Sequence, residues 1–255
     1  KFLFCMDAEQ DNLHTLALPV LISEDVKSTM YVQPNVIGLA GFMTWDQIKD
    51  FADNKCDLQD HPQGTHTSMT PTAIAEQYDE ISAAMEERLY RRPYHTAYMG
   101  GLYNDESLAV VMTKRKSGRS VISGTQGPEQ NIYTLKSTNI GKSAGGDIFS
   151  LEKIKGMILT AKLTKTAFPV HCHKCAEDES TDGISPAHLT EVLQYAKSIG
   201  IDIVTISELY DLMDQAVVVP EMAVVTGLTL TQITGGVKID WDLYPEEADG
   251  LELWK

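Results

Sequence analysis

Lys1-Phe2-Leu3-Phe4-Cys5-Met6-Asp7-Ala8-Glu9 decides how the rest of the chain is read. The apolar run has no polar alternation, which describes a strand buried on both faces, and it stops abruptly at acids. Cys5, inside that run, reads as a small buried residue. A later stretch, Asp60-His61-Pro62-Gln63-Gly64-Thr65-His66-Thr67, carries two imidazoles. Acids at a strand end and imidazoles on a later loop are a common way to build a hydrolytic metal site. A carboxylate with two neutral imidazoles suits zinc and leaves a coordination position open for water. The plainer alternative for the two histidines is a solvated loop.

Working outward, Ser28-Thr29-Met30-Tyr31-Val32 reads as a second strand, after an apolar stretch from Thr15 to Ser23 broken at Pro19. A helix starts at Trp45 with Thr44 as cap, placing Trp45, Ile48 and Phe51 on one face. Pro71 to Tyr90 is the clearest helix, with Ile74, Tyr78, Ile81, Met85 and Leu89 at helical spacing. Further helices are expected over Asp105 to Lys116, closed by Gly118, over about Ser150 to Leu163, and over Pro186 to Ile199, ended by Gly200. Ala167-Phe168-Pro169-Val170 and Ile201-Asp202-Ile203-Val204-Thr205 read as strands. Strands alternating with helices predict an α/β fold with a largely parallel sheet and helices packed outside. After about Val217 the pattern turns to alternation: Gly227 to Ile233, a turn at Gly235-Gly236, Val237 to Trp241, then Leu251 to Trp254. The expected division is therefore residues 1–217 and a small β segment over 218–255.

With 255 residues, 43% of them hydrophobic and 22% charged, the chain has ample material for a core. A formal charge of -15 and a pI near 4.8 disfavour nucleic acid or an anionic membrane as partner. Lys114-Arg115-Lys116 and Arg119 form the main basic cluster and read as a solvated loop face. Cys172-His173-Lys174-Cys175 is half of a zinc-ribbon signature, and Cys5 and Cys56 do not complete it. The longest apolar stretch, Ala216 to Val225, is short and interrupted, so no membrane-spanning segment is expected. Opening on Lys1 without an initiator Met suggests a processed chain or a piece of a larger protein.

Several segments fall in one order. Phe4-Cys5-Met6-Asp7-Ala8-Glu9 is followed by the Trp45 helix and Cys56-Asp57-Leu58-Gln59-Asp60-His61, then His66. Next come Ala97-Tyr98-Met99-Gly100-Gly101-Leu102-Tyr103-Asn104 and Pro169-Val170-His171-Cys172-His173. Asp182-Gly183-Ile184-Ser185-Pro186 and Ile203-Val204-Thr205-Ile206-Ser207-Glu208-Leu209 close the series. In order and spacing, about residues 1–213 resemble a polysaccharide deacetylase of the NodB-homology type, carbohydrate esterase family 4. The resemblance implies a distorted (β/α)7-type barrel and a divalent transition metal, usually zinc. It assigns Asp7 as catalytic base, Glu9, His61 and His66 as metal ligands (with Asp11 a rival to Glu9), and His173 as general acid (with His171 the alternative). It also assigns the backbone around Tyr98 as oxyanion donor. The family spaces its two histidines by four. Here they are five apart, about 140° on an ideal helix, so a loop shaped by Pro62 and Gly64 must absorb one residue. Met99 replaces the family's usual proline, and Asp147 is the candidate for the acid that tunes the catalytic histidine. The C-terminal strands resemble the opening of a fibronectin type III domain, although some thirty residues cannot complete a sandwich of about 100.

The resemblance therefore implies hydrolysis of acetyl groups, N-acetyl or O-acetyl, from a polysaccharide or peptidoglycan, by a protein that is extracellular, on a cell surface or on a virion. The alternative is a catalytically decayed deacetylase scaffold that serves as a glycan-binding or structural module.

Overall fold

The computed structural model describes residues 1–7, 10–141, 150–177, 183–216, 226–233 and 236–242. Seven strands run parallel in one sheet: β1 (Phe2–Asp7), β2 (Ser28–Val32), β3 (Cys56–Asp60), β4 (His95–Ala97), β5 (Ser117–Arg119), β6 (Thr138–Asn139) and β7 (Phe168–Cys172). Their order is β5-β4-β3-β2-β1-β7-β6. The first strand sits near the middle, and every one of its residues is buried. Its side chains alternate between two cores. Phe2, Phe4 and Met6 join Met30, Val32, Leu58, Phe168 and Val170 beneath the helices. Leu3 and Cys5 join Tyr31, Ala97, Leu135 and Leu209 on the other face. By that alternation Asp7 falls on the second face, the interior of the curl.

The sheet curls until its two edges meet one segment. Leu135 bridges Arg119 on β5, and three residues later Thr138 of β6 pairs with Val170 of β7. The result is a distorted (β/α) barrel, as the family resemblance implies. Seven helices accompany it: α1 (Leu18–Ser23), α2 (Trp45–Asp53), α3 (Pro71–Leu89), α4 (Asp105–Lys114), α5 (Leu151–Leu163), α6 (Pro186–Ser198) and α7 (Ile206–Ala216). Their starts follow from local chemistry. Thr44, Thr70, Asn104, Ser150 and Ser185 each accept a backbone N–H of the first turn. No helix among the described residues is long and apolar enough to cross a membrane.

The structure departs from the sequence reading at three places. The helix beginning at Asp105 stops at Lys114, and Arg115 is extended. Gly118 does not close that helix; it lies inside β5, where an added Cβ would sit 2.1 Å from the Tyr98 hydroxyl oxygen. Ile201–Thr205 forms only an isolated bridge, Ile203 to Phe2, rather than a strand. The basic cluster is a solvated face only in part: Lys116 is exposed and Lys114 half-buried, but the arginines are not solvated. Arg115 and Arg119 are buried at 4% and 2% exposure, paired with Asp60 and Asp7. A buried acid at the end of a strand requires a cation, and these two arginines provide it.

The chain divides into two compact units, Lys1–Asp214 and Gln215–Lys255. In the second, β8 (Thr226–Ile233) and β9 (Gly236–Asp242) pair antiparallel, with Thr229 opposite Asp240 and Ile233 opposite Gly236. The strand expected at Leu251 to Trp254 lies outside the described residues.

Two glycine substitutions check this packing in opposite directions. Gly118→Ala should lower stability by about 1–3 kcal/mol through overpacking against Tyr98. Gly156, exposed in α5 with nothing within 4 Å of an added Cβ, should gain about 0.4–1 kcal/mol on change to Ala. Denaturant unfolding measures both. Equal effects at the two positions would contradict the placement of Gly118 behind Tyr98.

Candidate active site

The functional side chains collect at the C-terminal ends of the strands, where α/β barrels place their chemistry. Asp7 ends β1 and is 2% exposed. Arg119, ending β5, donates from Nη2 to Asp7 Oδ2 at 2.5 Å, and its guanidinium carbon stands 4.8 Å from the Tyr31 ring centroid. The other carboxylate oxygen, Oδ1, is buried with no hydrogen-bond partner. Desolvation pushes the Asp7 carboxyl up; Arg119, His171, His61 and His173 outweigh it and bring the group down to about 2. Asp7 is therefore a carboxylate at every pH near neutral, with one oxygen committed and one offered.

Three histidines bear electrostatically on this carboxylate. His171 and His173 leave β7 two residues apart, on the same side as Asp7, and their rings meet edge to face at 5.6 Å. One donor atom from each of Asp7, His171 and His173 lies within 4.8 Å of the others, close enough to hold a metal ion. His171 is held by Ser137, whose Oγ is 2.8 Å from Nδ1, and burial pulls the imidazole down to about 3. His61, immediately after β3, points Nδ1 at the Pro62 carbonyl at 3.1 Å. Carbonyl oxygens only accept, so Nδ1 carries the proton and Nε2 keeps its lone pair. Burial lowers the His61 pKa, which favours that neutral form.

His66 sits apart from this group in its contacts. It opens a short 3-10 turn, His66–Ser68, its ring lies edge to face on Tyr78 at 5.3 Å, and Nε2 meets Gln77 Oε1 at 3.0 Å. Its Nδ1 is buried and without a partner. Gly64, with φ of 74°, makes a turn in the four-residue stretch between the histidines. Asp60, immediately before His61, faces outward to Arg115, whose Nε donates to Oδ2 at 2.5 Å. Burial pushes the Asp60 carboxyl up against the opposing charge of Arg115.

The remaining candidates are distributed as follows. Glu9 and Asp147 lie outside the described residues. Asp11 is exposed, and its N–H donates to the Gly41 carbonyl. The Tyr98 side chain does not face Asp7: it packs with Ile74, Tyr78 and Val111, and its hydroxyl donates to the Tyr133 carbonyl at 2.8 Å. The Tyr98 N–H is taken by the Arg119 carbonyl at 3.0 Å. The Cys172–Cys175 pair forms no disulfide, and burial raises both thiols. Sequence reasoning missed Arg119, Ser137 and Gln77. Only Arg119 left a trace, as a member of the basic cluster with Lys114, Arg115 and Lys116.

No family model matches the chain. A Bacillus subtilis protein named "Putative polysaccharide deacetylase YxkH" is 24% identical over 149 residues, 56% of this chain and 52% of the relative. The chain thus spans about half the length of the curated relative it matches. Among solved structures, a "putative polysaccharide deacetylase from Mycobacterium smegmatis" superposes with a TM-score of 0.65 at 10% identity, covering 84% of this chain and 90% of that one. A family 4 acetyl xylan esterase from Clostridium thermocellum, solved with a cobalt ion, gives 0.56 at 16% identity, covering 85% and 95%. At these identities the likeness is one of fold: the chain has the fold of the family 4 carbohydrate esterases.

The buried imidazoles make a prediction for stability. His95, on β4, is held by the Ser117 hydroxyl at 2.8 Å from Nδ1, and burial, then Lys116 and Arg115, lower it to about 3. A histidine depressed in the folded state is neutral there while the unfolded chain binds a proton below about 6.5. Its contribution is therefore intact above that pH and is lost as pH falls toward 3. The metal-free protein should lose stability progressively below pH 6.5. His95→Asn should make that loss shallower by about one proton, ~1.4 kcal/mol per pH unit. Urea unfolding from pH 7 to 4 reads the slope; identical slopes in both proteins would contradict a neutral buried His95.

Proposed function

We propose that this protein is a metal-dependent carbohydrate deacetylase, a hydrolase that removes acetyl groups from a polysaccharide or peptidoglycan. The observation that carries the reading is the buried Asp7 carboxylate, fixed by Arg119 through one oxygen, unpartnered at the other and clustered with His171 and His173. A buried carboxylate with one oxygen left unpartnered is costly, and a proton-accepting role accounts for that free oxygen. That argues for catalysis over a glycan-binding scaffold without activity.

Metal and acid–base work divide between two groups in this reading. Asp7 is already shared with a guanidinium, so a dication ligated by Asp7, His171 and His173 would meet a buried positive charge. We assign those residues to proton transfer. Glu9, His61 and His66 are assigned to the metal. The donor set fits zinc: His61 offers Nε2, and His66 carries a buried nitrogen with no partner. Zinc there supplies a Lewis acid for the acetyl carbonyl and lowers the pKa of water toward 7.

The chain's own residues do the rest. Asp7, held ionised beside Arg119, would take the proton of the attacking water on its unpartnered Oδ1. His173, partly exposed beside His171, hands a proton to the leaving amine or alkoxide. His171, buried and pinned by Ser137, orients its neighbour. The tetrahedral oxygen needs backbone donors. Since the Tyr98 N–H is committed to Arg119, the role passes to the following amides, Met99 and Gly100. An acetylated glycan as substrate would place the protein outside the cell, on its surface or on a virion. The β8–β9 hairpin is consistent with the start of a fibronectin type III-like module.

Purified protein should bind one zinc, and release acetate from acetylated chitin oligomers or acetyl xylan only with metal present. Asp7→Asn should keep the zinc and lose activity by ~10²–10⁴-fold, the contribution of a positioned base. His173→Ala should do the same and His171→Ala less. Full activity in the chelated protein, or in Asp7→Asn, would sink the proposal.

A further inference from the structure

The fold places a residue behind His66 that selects which ring nitrogen the histidine can offer. Gln77 lies in the second turn of α3. Its Nε2 donates to the Gln63 carbonyl at 2.7 Å, and only the amide nitrogen can do so. The amide orientation is thereby fixed, and Oε1 is the atom that meets His66 Nε2 at 3.0 Å. An amide oxygen only accepts, so His66 Nε2 carries the proton and Nδ1 holds the lone pair. That Nδ1 is buried, on a residue 2% exposed, and has no protein partner. A buried acceptor left unpaired costs about 1–3 kcal/mol unless something else binds it. His61 is locked the other way round: Nδ1 is spent on the Pro62 carbonyl and Nε2 is free.

We propose that Gln77 is a positioning residue for the metal site, holding His66 in the Nε2–H form so that the metal is taken by Nδ1 of His66 and Nε2 of His61. The inference rests on the metal-hydrolase reading above. Tyr78, next to Gln77 on α3, closes the ring's edge, so the tautomer lock and the packing come from one helix. A second-sphere hydrogen bond of this type is worth roughly 10–100-fold in metal affinity.

The test uses nitrogen-15 NMR of the histidine rings and zinc competition on the whole chain. In the metal-free wild type near pH 7.5, His66 should show Nε2–H and His61 should show Nδ1–H. On adding zinc, the His66 Nδ1 resonance should move while its Nε2–H persists. Gln77→Leu should lose the Nε2–H preference of His66 and weaken zinc binding about 10–100-fold. A purely structural role for Gln77 would lower affinity and leave the tautomer unchanged, which would overturn the proposal. So would a wild-type His66 that is Nδ1–H, or zinc shifts at His171 and His173 in place of His61 and His66. If wild type binds no zinc, the metal-hydrolase reading falls, and the metal-free spectrum still decides whether Gln77 sets the tautomer.

Discussion

Asp7 and Arg119 touch at 2.5 Å across a sheet in which their strands stand four places apart. Laid flat, four strand spacings would separate them by about 19 Å, far beyond the reach of one side chain. The contact is possible only because the sheet is curled, and it is a chord across that curl. The barrel interior, the level of Tyr31 beneath the guanidinium and the direction of the free Asp7 oxygen all follow from this one pair. Burial on this scale strands either ion if its partner is removed. Arg119 therefore fixes at once the shape of the barrel and the charge of its central acid.

Arg115 performs the parallel task on the outer face. It leaves the chain four residues before Arg119, on the other side of the short strand β5. It ties Asp60 to the Tyr78 carbonyl and the Ser82 hydroxyl of α3, with its guanidinium over the Tyr78 ring. Asp60 immediately precedes His61, and Tyr78 supports the His66 ring. The two arginines thus anchor the acid at the end of β1 and the acid at the end of β3, while the intervening loop carries both imidazoles.

What was legible in the sequence was set by length and period. The first strand is a continuous apolar run, and α3 repeats Ile74, Tyr78, Ile81, Met85 and Leu89, so each carries its own signal. The strands β4, β5 and β6 span two or three residues, too few for a period to register. Their positions are fixed by tertiary pairing. Asp7, His61 and the His171–His173 pair were visible because acids and imidazoles at strand ends are chemically conspicuous. Arg115 and Arg119 were misread as solvated because a local run of charge usually is. The corrective signal was the presence of Asp7 in a strand buried on both faces, which demands a cation from elsewhere in the chain. Ring tautomers, such as the one Gln77 imposes, depend on hydrogen bonds between residues eleven positions apart, and no local pattern encodes them.

In the proposed reading, proton transfer belongs to residues of β1 and β7 and metal holding to the loop after β3. The most direct test is an anomalous-scattering map, at the zinc edge, from crystals of the protein soaked in zinc. The account predicts a single peak bonded by His61 and His66, with Asp7 still paired to Arg119. A single peak bonded by Asp7, His171 and His173, with His66 remaining on Gln77, would contradict it.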